Sequence, residues 1–466
     1  MRRPVLATMI VVWVGGCSSL NPAFDLDDDA TTTDAVGSSA GPGTTGLTTG
    51  ASATDDTALD DSDGDATTAG PPVTVEFTDD ELDAEFGAGV FVELTWSEGL
   101  VLADGSESGR LDSRVFDAGG DVEWTSITWT PDAPYGRPLP DGGTSETAFA
   151  SGNADMDGLV LLLHFDDLHD DGNGVHAMDT SGLGTDVYVQ NGAVSTTDGV
   201  FDGALSDTPA NGDPYLSAPA TVVAPGTADF TWSMWVRAQS CDGDTFVSID
   251  SAANLAETTS IWVECLGDVG GCGGVPGRVL AAARWNDGGP LTCTNQTIDD
   301  GLWHHLVLRK QGHPVTTLSL FLDGQLDGAT MGNVAGSLVD ADGVELALMG
   351  QSNPAFPGRG DLDELAIWHR ALSDTEIADL YLRGARYLRF RVRGCADTAC
   401  SNDTAFVGPD ASPNTSFVDR APMPGAEQPL PPVVAPALQY EASLARDFPA
   451  LPTPRLRSVT LRGNRR

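Results

Sequence analysis

The chain has 466 residues and a formal charge of −44, set by 68 acidic residues against 24 basic ones. Such a field repels phosphate backbones and anionic headgroups, which excludes nucleic acid as a partner and leaves calcium, neutral ligands and a salt-rich exterior as compatible surroundings. The length allows two or three domains with full apolar cores.

The N-terminus addresses the compartment. Met1-Arg-Arg is followed by an apolar run from Val5 to Val14 that is too short to span a bilayer, and Val14-Gly-Gly-Cys17 matches a bacterial lipobox. Residues 1–17 therefore read as a lipoprotein signal, with Cys17 expected to carry the lipid that anchors the protein in a membrane. Ser18 in place of an aspartate favours the outer membrane or cell surface. Residues 18–72 are dominated by Thr, Asp, Gly, Ser and Ala, with almost no large apolar residue and no basic one. They cannot bury enough surface to offset ordering entropy, so a disordered, self-repelling tether is expected.

Setting Cys17 aside leaves six cysteines, an even number that points to disulfides in an oxidising compartment. Cys395 and Cys400 bracket Ala-Asp-Thr-Ala and are expected to pair. Cys241, Cys265, Cys272 and Cys293 allow three connectivities, all open at this point. Their spacings do not suit zinc.

From residue 73 the pattern turns to strands, with Val73–Phe77, Gly89–Trp96, Arg110–Gly119 and Val122–Thr130 alternating or apolar. Residues 73–150 hold too few strands to close a sandwich. Further runs of the same kind stand near the other end of the chain, at Tyr387–Arg393, Leu438–Leu444 and Leu456–Leu461. Between them, Leu159–Phe165, Thr245–Ile249, Ser260–Glu264, Arg278–Arg284, Leu306–Arg309, Thr317–Leu322 and Val344–Met349 are short β-like segments split by Gly and Asp turns. Residues 358–384 combine a strand and a helix. Alternation puts Leu362, Glu364 and Ala366 on one face, and Asp361, Asp363, Leu365 and Ile367 on the other. Ser373 and Glu376 form a capping box, Ile377, Leu380 and Tyr381 recur at helical spacing, and Gly384 is the expected stop.

Gly360-x-x-Asp-Glu-x-x-Ile-Trp-x-x-Ala-Leu-Ser-x-x-Glu-Ile377 resembles the closing signature of laminin-G-like domains of the concanavalin A-like jelly-roll class. Three upstream segments fit the same family in order: Gly199-Val-Phe-Asp-Gly203, Phe230-Thr-Trp-Ser-Met-Trp-Val236, and Trp303-His-His-Leu-Val307 leading to Leu318-Ser-Leu-Phe-Leu-Asp-Gly324. The flanking runs, with Ser113-Arg-Val-Phe-Asp-Ala-Gly119 opening and Leu388-Arg-Phe-Arg-Val-Arg393 and Leu456-Arg-Ser-Val-Thr-Leu461 closing, are similar to a small β-sandwich of exported bacterial multidomain proteins. The expected fold is all-β, with a jelly-roll sandwich over 155–384 inserted into a second, smaller β-sandwich made of 73–150 and 385–466. Two domains in series are the alternative.

The resemblance implies a calcium ion at a loop rim, since hard cations take oxygen ligands. Its matching positions are Asp166, Asp179, Asp361 and Asp363, and the competing reading is that these aspartates cap turns through backbone amides. Asn153–Gly158 imitates half an EF-hand loop but lacks its closing glutamate. His304 and His305 would point to opposite strand faces and read as structural. A glycoside hydrolase of this fold needs two carboxylates across a cleft. Asp361-Leu-Asp-Glu364 is the nearest candidate and lacks a second glutamate in step. Arg359-Gly-Asp361 spells an integrin-type tripeptide that reads as coincidence. The functional expectation is a surface lipoprotein with a non-catalytic binding module for polysaccharide or protein, with Trp262 and Trp285 as candidate aromatic contacts. A structural spacer and a hydrolase are the rival readings.

Overall fold

The computed structural model describes residues 73–465, apart from 83–84, 191–194, 208–214, 242, 252–259, 267–271, 285–287, 339–343, 351–357, 402–404 and 420–426. The signal segment, Cys17, the tether 18–72 and Trp285 lie outside the described residues.

The motif Phe230-Thr-Trp-Ser-Met-Trp-Val forms the strand Phe230–Arg237, which runs between Trp303–Gln311 and Gly360–Trp368 in an eight-stranded sheet. A strand with apolar residues on both faces must be covered on both. Phe230, Trp232, Met234 and Val236 enter the core shared with a facing nine-stranded sheet, which contributes Val247, Ile249, Ile261, Val263, Leu346 and Leu348. On the other face Trp235 stacks on Tyr381 of the helix Asp374–Gly384, with ring centroids 5.9 Å apart. The capping box forms as expected, with Ser373 Oγ accepting from the Glu376 amide and Glu376 accepting from the Ser373 amide. Gly384 lies at the helix end for a steric reason, since a Cβ there would stand 2.4 Å from Trp235 Cζ2. The helix therefore lies flat on the sheet, and Ile377 and Leu380 join Trp368 and Val307 in a second apolar layer.

The alternation expected over 361–367 is broken. Trp235 faces Asp363 while Ser233 faces Ala366, so two residues oppose one, and Glu364 at the irregularity has φ 50°. The bulge lets Leu362, Leu365 and Ile367 all reach the core, which strict period-two alternation forbids.

The chain on either side of this jelly roll forms one further nine-stranded sheet. Phe116–Pro131, which precedes the insert, pairs with both Gln428–Arg446 and Arg455–Arg465, which follow it. These long strands bend, so each serves two layers, and Trp124, Phe390, Val392, Leu438, Tyr440 and Leu461 fill the space between them. Trp129 and Phe390 meet with centroids 4.4 Å apart. The fold is thus all-β, with a jelly roll inserted into a second β-unit. Two expectations about strand extent need correction. Gly89–Trp96 is split into Val90–Val92 and Leu94–Trp96 by Glu93, whose φ is 55°. The strand expected at 438–444 begins ten residues earlier, with Pro431, Pro432 and Pro436 at its two register shifts, where no ladder donor is needed.

The disulfides join Cys241 to Cys265, Cys272 to Cys293, and Cys395 to Cys400. Val115 packs against the last of these. The two crossings between units are tied together, as the Gly136 amide donates to the Arg383 carbonyl at 2.7 Å and the Arg386 guanidinium covers the Tyr135 ring.

Candidate functional site

The loop Gly199–Gly203 connects the predicted aspartates. Asp363 Oδ2 accepts from the Val200 and Phe201 amides at 2.6 and 3.1 Å, and Asp166 Oδ1 accepts from the Gly203 amide at 3.0 Å. Both glycines are forced, because a Cβ on Gly199 would stand 2.4 Å from the Gly203 carbonyl oxygen, and one on Gly203 would stand 2.5 Å from Asp166 Cα. Burial, with the Glu364 charge nearby, holds the Asp363 carboxyl well above the ordinary carboxylate range. Burial, with the added charge of Asp202, pushes Asp166 up to about 6. Asp363 Oδ1 is buried with no hydrogen-bond partner.

The other two aspartates are placed elsewhere. Asp179 receives four donors, from the Leu162, Ser181 and Thr185 amides and Ser181 Oγ, which is the turn-capping arrangement. Asp361 is bound to Arg237 Nε at 2.6 Å, which also ties down the third residue of the Arg359-Gly-Asp361 tripeptide. Among the described residues no group of three or more His, Cys, Asp or Glu side chains is arranged to hold a metal ion.

The histidines have structural partners. Burial alone would lower the His164 imidazole, but Glu364 at 2.6 Å and Asp141 at 3.0 Å outweigh it and push His164 up to about 11. His304 lies between Asp323 and Asp300, while the fully buried His305 meets Ser233 Oγ and is pushed down by burial to about 4. Asp361, Asp363 and Glu364, the nearest approach to a hydrolase pair, are thus engaged with Arg237, two amides and His164.

A different surface emerges from the strand register. Directly opposed residues of antiparallel strands share a face. Tyr188, Ser217, Ala347, Ser248, Trp262 and Ala282 form one continuous row across six strands. Their sequence neighbours, such as Leu216, Leu346, Val247 and Ile261, point into the core, so this row is the sheet's outer face. Three small residues, Ser217, Ala347 and Ser248, lie between two half-buried rings in a row about 19 Å wide at roughly 4.8 Å per strand, and all three are themselves buried, with Ser248 Oγ bonded to the Gly350 carbonyl. The Arg284 guanidinium stands 5.9 Å from the Trp262 ring. Asp250 and Glu345 oppose each other in an adjoining row, and burial raises the Glu264 carboxyl two residues from Trp262. Sequence reasoning singled out Trp262 but missed Tyr188, Ser217, Ser248 and Ala347. The available signal was a small residue between two core residues in Leu216-Ser-Ala218, Val247-Ser-Ile249 and Leu346-Ala-Leu348.

A second concavity, about 700 Å³, opens where the two units meet. The turn 198–202 forms one wall, and Tyr387, Arg389 and residues 409–418 form the other.

Residues 210–378 match the concanavalin A-like lectin/glucanases superfamily, and the laminin-G-like resemblance holds for that segment. Similar solved structures include domain 4 of AbnA, a GH43 extracellular arabinanase from Geobacillus stearothermophilus, in complex with arabinotriose. That match has 17% identity, covers 48% of this chain and 98% of that one, and has a TM-score of 0.36. The binding domain of Paraclostridial Mosquitocidal Protein 1 matches at 13% identity over 51% of this chain and 58% of that one, with a TM-score of 0.35. The binding domain of botulinum neurotoxin DC in complex with SialylT matches at 13% over 51% and 57%, with a TM-score of 0.34. The present chain thus spans less than two thirds of either toxin domain. No curated protein matches.

Proposed function

We propose that this chain is an exported binding protein, held by lipid on Cys17 at the outer membrane or cell surface, whose jelly roll takes a polysaccharide across this outer row, using it as a trough between Tyr188 and Trp262. The observation that carries the reading is the pair of half-buried rings, Tyr188 and Trp262, in one row on the sheet's outer face. Flat ring faces suit the apolar faces of sugar rings, and the neighbouring half-buried carboxyls of Glu264 and Glu345 are acceptors for hydroxyl groups. A surface protein is the other ligand class that such a face admits.

Calcium enters the proposal at one place. The orphaned Asp363 Oδ1 beside Asp166 suits a hard cation, whereas Asp179, filled by four donors, does not. A cation there would neutralise two carboxylates that otherwise repel and would brace the 199–203 turn. Melting the chain with calcium and then with chelator tests this, since a specific site raises the melting temperature with calcium concentration. An unchanged melting curve removes calcium from the reading.

A glycan array with the full chain tests the ligand. Binding to neutral glycans that disappears in Trp262→Ala, with folding intact, supports the trough. Silence across the array returns the protein to the class of structural spacers. Release of reducing sugar would instead restore the hydrolase reading.

A further inference from the structure

The second β-unit carries a surface of opposite character. Strand Arg386–Cys395 alternates core residues with outward Tyr387, Arg389, Arg391 and Arg393. In a chain with 68 acidic residues and 24 basic ones, an arginine has many available partners, and most arginines have one. Arg391 bonds Glu441, Arg237 bonds Asp361, Arg383 bonds Glu146 and Arg457 bonds Asp132. Arg389 is exposed, and the contact it makes is with the Tyr387 ring, 4.4 Å from its guanidinium carbon; no described carboxylate pairs with it. Stacking fixes the plane of the fork while leaving its N–H groups directed outward, the arrangement in which a guanidinium takes a carboxylate through two parallel hydrogen bonds.

The register extends this point into a shelf. Arg389 lies opposite Ser443, Ser443 opposite Arg110, and Arg110 opposite Val92, so the row crosses four strands, about 14 Å at roughly 4.8 Å each. Above it is a cleft of about 580 Å³, which Glu93 borders at the far strand. Tyr387 and Arg389 also line the 700 Å³ cleft between the units. Two concavities therefore border one tyrosine and arginine pair, which places a ring and a cation between them. Two clefts side by side suit successive units of a polymer strand. A stacked cation with hydroxyl-bearing side chains beside it suits a carboxylate-bearing sugar, whose ring can lie on Tyr387 or Val92 while its hydroxyls reach Ser443 or Glu93.

We infer that this groove is a second ligand site, distinct from the Trp262 trough, which binds an acidic polysaccharide of the polyuronate class through Arg389 and Tyr387. The protein's negative field opposes such a ligand both at a distance and through Glu93, Asp198, Asp202 and Asp410, which line the two clefts, so binding depends on this local cation and weakens as salt screens it.

The test is calorimetric titration of the full chain with polygalacturonate, neutral dextran and poly-glutamate. The expected result is polygalacturonate binding that Arg389→Ala weakens by at least about tenfold, with melting unchanged because the side chain is exposed. Arg389→Lys should recover little of it, since a point charge cannot form the paired bonds. Trp262→Ala should leave it intact, which separates this site from the trough even if the trough binds nothing. Absence of polygalacturonate binding, or binding indifferent to Arg389→Ala, overturns the inference. Poly-glutamate binding as tight as polygalacturonate, and equally dependent on Arg389, also overturns it by making the site a receptor for acidic peptide.

Discussion

Replacing Arg383 with Met removes the charge that holds the two β-units together. Arg383 donates to Glu146 at 2.7 and 3.3 Å and to the carbonyls of Arg137 at 3.2 Å and Pro138 at 2.6 Å, and both charged side chains are 2% exposed. The methionine fills the aliphatic space but leaves the Glu146 carboxylate in a desolvated site, with the Ala154 amide and Arg137 as its remaining partners. Breaking a buried pair from one side costs about 3–5 kcal/mol, mostly because the surviving charge stays buried. Urea unfolding followed by tryptophan fluorescence should show a loss of that size. Arg462→Ala is the control. It breaks an ion pair with Glu76 of similar length, 2.7 Å, but with partners 42% and 53% exposed and screened by solvent, so it should cost far less. Adding Glu146→Gln to Arg383→Met should return part of the loss, since the orphaned charge is gone. A cost for Arg383→Met no larger than that of Arg462→Ala would refute the view that this cluster locks the junction.

Gly199→Ala should destabilise by about 1–3 kcal/mol, because its Cβ meets a backbone oxygen and Asp363 Oδ2, and the loss should be read in the same unfolding assay. Asp419 is pushed up to about 6, by burial first, against the pull of Arg137. A carboxyl raised in the folded state binds its proton more tightly there than in the unfolded chain, where its pKa is about 3.9. Its contribution to stability is therefore greatest below about 3.9 and declines as pH rises through about 6. Asp419→Asn should flatten the measured pH dependence across that window. His164, raised to about 11, contributes stability that is fully present below about 6.5 and is lost as pH rises through about 11. His164→Gln should therefore reduce the alkaline decline in melting temperature between pH 7 and 10.

Some of this molecule was legible in the residue order because it depends on local chemistry. The capping box at Ser373 and Glu376, the alternating Leu388, Phe390 and Val392, and the doubly buried Phe230–Val236 run each carry their periodicity or cap within a few residues. The jelly-roll resemblance and the expectation of an inserted domain rested on such signals taken in order along the chain. The Glu364 bulge was not legible, because a single extra residue looks like ordinary alternation until a partner strand counts two against one. The reach of Gln428–Arg446 through four prolines was hidden for the same reason, since only the neighbouring strand shows where donors are dispensable.

The candidate surfaces divide along the same line. The sequence by itself determined that the chain is acidic and all-β, and it marked Gly199–Gly203 as a family-like segment and Asp363 as a candidate ligand, because glycine spacing and carboxylate chemistry are properties of single segments. Only the tertiary structure decided that Asp179 caps a turn, that Tyr188 and Trp262 flank a row of small residues, and that Arg389 stands in line with Arg110. Those relations come from strand register, which is set jointly by cores and turns far apart in the chain and belongs to no segment alone.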